Sequence, residues 1–190
     1  MNTNPKSQPA AEQDKPQFLK LISNSASATL AMVLLALGLL VPCAKAQTSI
    51  SMADTNFILA AAQGGMTEVK LGQLASTSGV RDDVKSFGQM MVKDHTAIND
   101  DLKALATQKG VTLPPSLDAK HQAMVDKMAA LTGPGFDDAY LNGMIKAHQK
   151  DARAFKAEAA ATQDADLKRF LDKSIPVVEA HLQHVTAMKK

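Results

Sequence analysis

The chain has 190 residues, one cysteine, no tryptophan and a formal net charge of +2 from 21 basic and 19 acidic residues. A single cysteine excludes an intramolecular disulfide framework. Without a Lys/Arg stripe interleaved with aromatics, the charges leave no footprint for nucleic acid, and stability has to come from a hydrophobic core.

At the amino terminus, Lys6, Lys15 and Lys20 precede an apolar run from about Ala26 to Val41, which ends in Pro42 and then Ala44-Lys45-Ala46, an A-x-A cleavage site. That run is near 16 residues, shorter than the roughly 20 that a spanning helix needs. Residues 1–46 therefore read as a secretory signal cut before Gln47, residues 47–53 as a short linker and 54–190 as one helical domain. The expected location is the periplasm or the outer membrane surface, with no transmembrane segment after cleavage. Cys43 leaves with the leader, and Pro42 stands where a lipid anchor would need a small residue. Four lysines and two acids leave too, so the 144 mature residues keep 17 basic and 17 acidic side chains, which read as solvated helix faces.

From residue 53 onward the apolar positions recur at helical period, and alternation of strand type is nowhere sustained. The first helix is expected from Asp54, as N-cap, to Ser78, with Gly79 as its stop. Ala61, Gly65, Glu68, Gly72 and Ala75 share one side of it, where small residues around a single acid let a neighbour approach. Gly64-Gly65 is either a packing device or a kink, since each glycine costs about 1 kcal/mol against alanine in a helix. Val84, Phe87, Met91, His95, Ile98, Leu102 and Leu105 mark the second helix, ended by Gly110.

Leu113-Pro114-Pro115 is a stiff connector. Beyond it Leu117, His121, Met124, Met128 and Leu131 suggest a short helix stopped by Gly133-Pro134-Gly135. Leu141, Met144, His148, Ala152, Phe155 and Ala159 define the third long helix; Leu167, Leu171, Ser174, Val178, His181, Val185 and Met188 define the fourth. Pro176 is expected to kink that last helix by removing its bond to the Asp172 carbonyl. Two tight connections around one long one predict an all-α, ferritin-like four-helix bundle whose crossover contains a short helix.

Asp54-Thr55-Asn56-Phe57, Gly64-Gly65-Met66-Thr67-Glu68-Val69, Met91-Val92-Lys93-Asp94-His95, Phe136-Asp137-Asp138-Ala139-Tyr140, Ile175-Pro176 and His181-Leu182 form a set. Taken together, the set resembles the exported bacterial family catalogued as domain of unknown function 4142, over roughly residues 54–188. The resemblance implies a ferritin-like helical fold in the periplasm or outer envelope, with some members linked to the outer membrane and to stress survival. It implies no established biochemical activity.

His95, His148 and His181 fall on the apolar stripes of three long helices and Glu68 on that of the fourth, so all four can share a layer. A carboxylate di-iron centre needs Glu-x-x-His pairs, but Val92 and Val178 stand three before His95 and His181, and His148 replaces an expected acid; such a centre is disfavoured. A mononuclear site for zinc or copper fits better, from the three histidines with Glu68, or with Asp94 or Asp151 at the edge. Met91 and Met144 each stand four before a histidine and are auxiliary sulfur ligands on that reading, although methionine at helical spacing more often fills a core. Without a metal, the histidines form a polar layer in which each ring bonds Glu68, a carbonyl or Tyr140. His121 is assigned to packing of the crossover and His184 to the surface.

No serine sits in a nucleophile elbow, and Gly64-Gly65 lacks the spacing of a phosphate loop. The first functional reading is a non-enzymatic envelope protein with a structural or stress-tolerance role, acting on an unidentified envelope partner; the alternative is a metal-binding module built on the histidine layer. The export reading predicts that protein recovered from its native host begins at Gln47 on amino-terminal sequencing. An intact Met1 there, or recovery mainly from the cytoplasm, rejects it.

Overall fold

Five helices account for most of the described residues, 50–189 of the computed structural model, and no strand occurs among them. The leader expected at 1–46 and the first residues of the linker lie outside the described residues. Ser51 rather than Asp54 caps the first helix, α1 (Met52–Ser78): its hydroxyl accepts the Asp54 amide at 3.0 Å. Serine at the cap with an acid three residues on suits both the free amides and the dipole of a helix start, which moves the cap three residues ahead of the expected one. Gly79 stops it as expected.

The second helix, α2 (Asp82–Lys109), ends at Gly110 in the left-handed conformation, φ 70°, which glycine adopts without strain. Asp118 opens the short crossover helix α3 (Ala119–Ala129) by accepting the His121 amide at 2.8 Å. Gly133-Pro134-Gly135 is not merely a stop. Gly133, at φ 61°, turns the chain, and these residues form the first turn of α4 (Gly133–Ala161), where the amide that proline lacks would have been unpaired in any case. The last helix, α5 (Ala165–Met188), runs on through Pro176 without ending.

Two contacts orient the helices. Buried Asp137, near the start of α4, accepts the amides of Val80 and Arg81 at 3.0 and 2.9 Å, which brings the starts of α2 and α4 to one end. At the other end Lys109 pairs with Asp164 at 2.6 Å and Asp166 at 2.7 Å, joining the end of α2 to the start of α5. α2 and α4 therefore run in one direction and α1 and α5 in the other, with α3 carrying the chain back between them. This is the four-helix bundle with one crossover.

The apolar core divides in two. One cluster gathers Leu71, Ala75, Val84, Phe87, Met91, Phe136, Tyr140, Leu141, Met144 and Val185. The other gathers Ile58, Ala62, Leu102, Leu105, Ala106, Leu167, Phe170 and Leu171. On every long helix the polar residue singled out from the sequence stands between the two, so the histidine layer lies between the clusters.

Close approach of α1 and α2 is set by Gly72 and by Gly88, a position the periodicity did not single out. A Cβ on Gly88 would stand 2.7 Å from the Gly72 carbonyl oxygen and 2.7 Å from the Ser76 nitrogen, both backbone atoms that cannot swing aside. Gly88→Ala should therefore lower the unfolding free energy by about 1–3 kcal/mol, the usual cost of overpacking, read from a lower denaturation midpoint. A gain of stability from the better helix former would show that the two helices separate easily.

Candidate metal centre

Helical period places Glu68, His95, His148 and His181 on inward faces of α1, α2, α4 and α5. The three rings meet there with centroids 5.2–5.6 Å apart, and each offers a nitrogen within 4.8 Å of those of the other two. All three are almost completely buried.

Each ring is held from behind through one nitrogen. His95 Nδ1 lies 3.0 Å from Glu68 Oε2. His148 Nδ1 donates to its own helix, to the Met144 carbonyl at 3.0 Å. His181 Nε2 lies 3.0 Å from Asp94 Oδ2. A carbonyl or carboxylate accepts, so these nitrogens carry the hydrogens in the neutral rings and the opposite nitrogens carry lone pairs. Those opposite atoms, His95 Nε2, His148 Nε2 and His181 Nδ1, are buried without a hydrogen-bond partner.

Glu68 and Asp94, both read from the sequence as metal ligands, thus take a different place. Neither belongs to the set of mutually close donors, which is His95, His148 and His181 alone among the described residues. Both stand behind a ring, fixing its orientation as carboxylates do around metal-binding histidines. Glu68 Oε1, 3.6 Å from His148 Nδ1, has no hydrogen bond. Met91 and Met144 fill the first apolar cluster. Tyr140 stacks on Phe136 and meets Phe87 edge-on, and its hydroxyl bonds none of the histidines. His121 sits on α3 with Nδ1 2.8 Å from Asp118, and His184 is exposed with its ring against Phe87.

Burial and charge act in opposite senses on these groups. Burial alone would depress the His95 pKa, but the Glu68 charge and hydrogen bond reverse this and the net direction is upward. Burial would likewise raise Glu68, and the histidines, His95 first, hold it below the ordinary carboxylate value. For His148 and His181 burial prevails, and both are lowered despite Glu68 and Asp94. Asp151, beside the centre, is pushed up to about 6 by burial and by the Glu68 charge.

With this geometry established, the chain belongs to the family described as Domain of unknown function (DUF4142), whose model matches residues 40–188. No curated protein sequence matches it. Among solved structures, the fold is similar to the crystal structure of a DUF305 fragment from Deinococcus radiodurans, at 12% identity and a TM-score of 0.65, covering 73% of this chain and 96% of that one. It is also similar to CopM in the Cu(I)-bound form, at 16% identity and a TM-score of 0.60, covering 71% and 94%. At such identities the likeness is one of fold.

The opposed shifts predict how the metal-free protein titrates. His95 should protonate above 6.5 and His148 and His181 only below it, an order that ring nitrogen shifts in NMR read directly. The His95–Glu68 pairing then adds stability below pH 6.5 that fades as pH rises through the raised His95 value. Neutral burial of His148 and His181 costs stability as pH falls from 6.5 towards their lowered values, because the unfolded chain binds protons that the folded one refuses. Three rings titrating together near 6.5 would contradict the geometry.

Proposed function

We propose that the protein binds a single late transition-metal ion through His95, His148 and His181, and that the ion is copper in its reduced form. The observation that carries this reading is the trio of buried, unpartnered ring nitrogens, each on a ring whose other nitrogen is already anchored. A polar layer that served only structure would be expected to satisfy those atoms, since an unpaired buried acceptor costs about 1–3 kcal/mol. Three close imidazoles, each with one buried nitrogen left without a donor, attract a cation.

Imidazole suits copper and zinc alike. Zinc prefers a fourth ligand, and among the described histidines, cysteines and acids only three donors lie close together. A monovalent copper ion accepts three nitrogens as a full set of ligands. The similarity of fold to a protein solved with Cu(I) supports this choice, and the export expected from residues 1–46 agrees with it, since an exported protein would meet copper outside the cytoplasm. In this reading the bundle holds or buffers the ion, and the stress-tolerance role expected of the family would follow from metal handling.

Competition against a chromophoric Cu(I) chelator should give one ion per chain, lost when any one of the three histidines becomes alanine. Copper should also raise the melting temperature, because an ion at about 100 times Kd stabilises the native state by about 2.7 kcal/mol. If micromolar copper and zinc leave both stoichiometry and melting unchanged, the layer is structural and the proposal fails. If zinc alone binds, the site stands and its ion is wrong.

A further inference from the structure

A cavity of about 470 Å³ opens beside the centre, bordered by α1, α2, α4 and the crossover. Glu68 and His95 line it, while His148 and His181 do not, so the centre meets the cavity through this pair. Asn99 and Asp151, both partly buried, are among the other polar residues that line it. Asn99 Oδ1 and Glu68 Oε1 are both buried without a hydrogen bond, and Glu68 is only 7% exposed.

The place of Asn99 is made by a missing side chain. A Cβ on Gly65 would stand 1.9 Å from Asn99 Oδ1, so any other residue at 65 would displace the amide. This is a second use for the Gly64-Gly65 pair, beyond the packing or kink expected of it. Lys120 and Lys150 also border the cavity but are exposed, and Gln63 is already bonded to Ser116 and Asp118, so the buried unpartnered side-chain atoms on its lining are Glu68 Oε1, Asn99 Oδ1 and His95 Nε2.

We propose that this cavity is the route by which the metal ion reaches the histidines, and that Asn99, Asp151 and Glu68 hold it on the way as an outer station of oxygen ligands. The inference rests on the metal reading above. Its chemical logic is a gradient. Amide and carboxylate oxygens bind a soft or borderline ion less firmly than imidazole does, so an ion caught at the station moves inward, past Glu68 and onto His95, rather than resting there. An uncharged amide and a largely buried acid lower the cost of stripping water from the ion in stages instead of at one step.

The test is kinetic. Full-length mature protein, with excess protein over a Cu(I)–bicinchoninate complex, is followed by loss of the chelator's colour. Asn99→Leu, which removes the oxygen at similar volume, and Asp151→Asn should each slow loading by about tenfold, the lower end of what a charged cleft does to association rates. The final stoichiometry should stay at one ion per chain. Asn99→Asp retains the oxygen and should load at least as fast as the wild type, which separates loss of a ligand from a general disturbance of the fold.

Unchanged rates in Asn99→Leu and Asp151→Asn, with normal stoichiometry, overturn the route and leave the centre standing. Loss of stoichiometry in these variants also overturns it, because the residues would then belong to the resident site. A wild-type protein that takes up no ion removes both the centre and the route.

Discussion

A carboxylate and three imidazoles buried in one cross-section of an apolar bundle have to satisfy one another, because they are almost completely buried and an unpaired charge there would cost several kcal/mol. Glu68 is the hinge of that requirement. Its Oε2 binds His95, its charge holds that ring's pKa up, and its Oε1 lies near His148. Removing the carboxylate would leave a ring with nothing to donate to, and removing the ring would strand the carboxylate. The four helices are tied by this mutual need at mid-length, and the apolar clusters on either side keep solvent from relieving it.

The helical periods told most of this in advance. Three- and four-residue steps placed His95, His148 and His181 on inward faces, and the loop lengths placed those faces together, so the meeting of the rings was legible without coordinates. The roles of the acids were not. Spacing puts Glu68 and Asp94 near the rings, but whether a carboxylate faces the centre or stands behind a ring depends on helix rotation of a few tens of degrees, which periodicity does not resolve. Asp94 beside His181 joins residues 87 positions apart, and no local pattern marks such a pair.

Helix ends were misplaced for a related reason. Asp54 and Gly133-Pro134-Gly135 carry the residue types of an N-cap and a stop, but a cap is defined by which side chain reaches a free amide. Ser51 does that for α1, and the missing amide of Pro134 makes the first turn of α4 its natural place. Gly88 escaped notice because a glycine is recognised as a packing device only when the backbone opposite it is known, and here that backbone is Gly72. The extended fingerprint around Asp137 marked a residue that matters, while its work, capping the turn before α2 from another helix, is a tertiary fact.

A buried polar layer is often credited with fixing the register of a bundle, a role that would make its unsatisfied atoms the cost of specificity. In this bundle the ends already carry devices of that kind. Asp137 clamps the start of α2 to α4 through two amides, and Lys109, partly buried and paired with Asp164 and Asp166, clamps its end to α5. A slide of α2 by one turn would break both clamps and separate Gly72 from Gly88, whether or not any histidine were present. Register is therefore specified at two ends and one crossing, all outside the layer. The three open nitrogens in the layer then have no structural task that these contacts do not already perform, which is why their lack of partners bears on binding rather than on register.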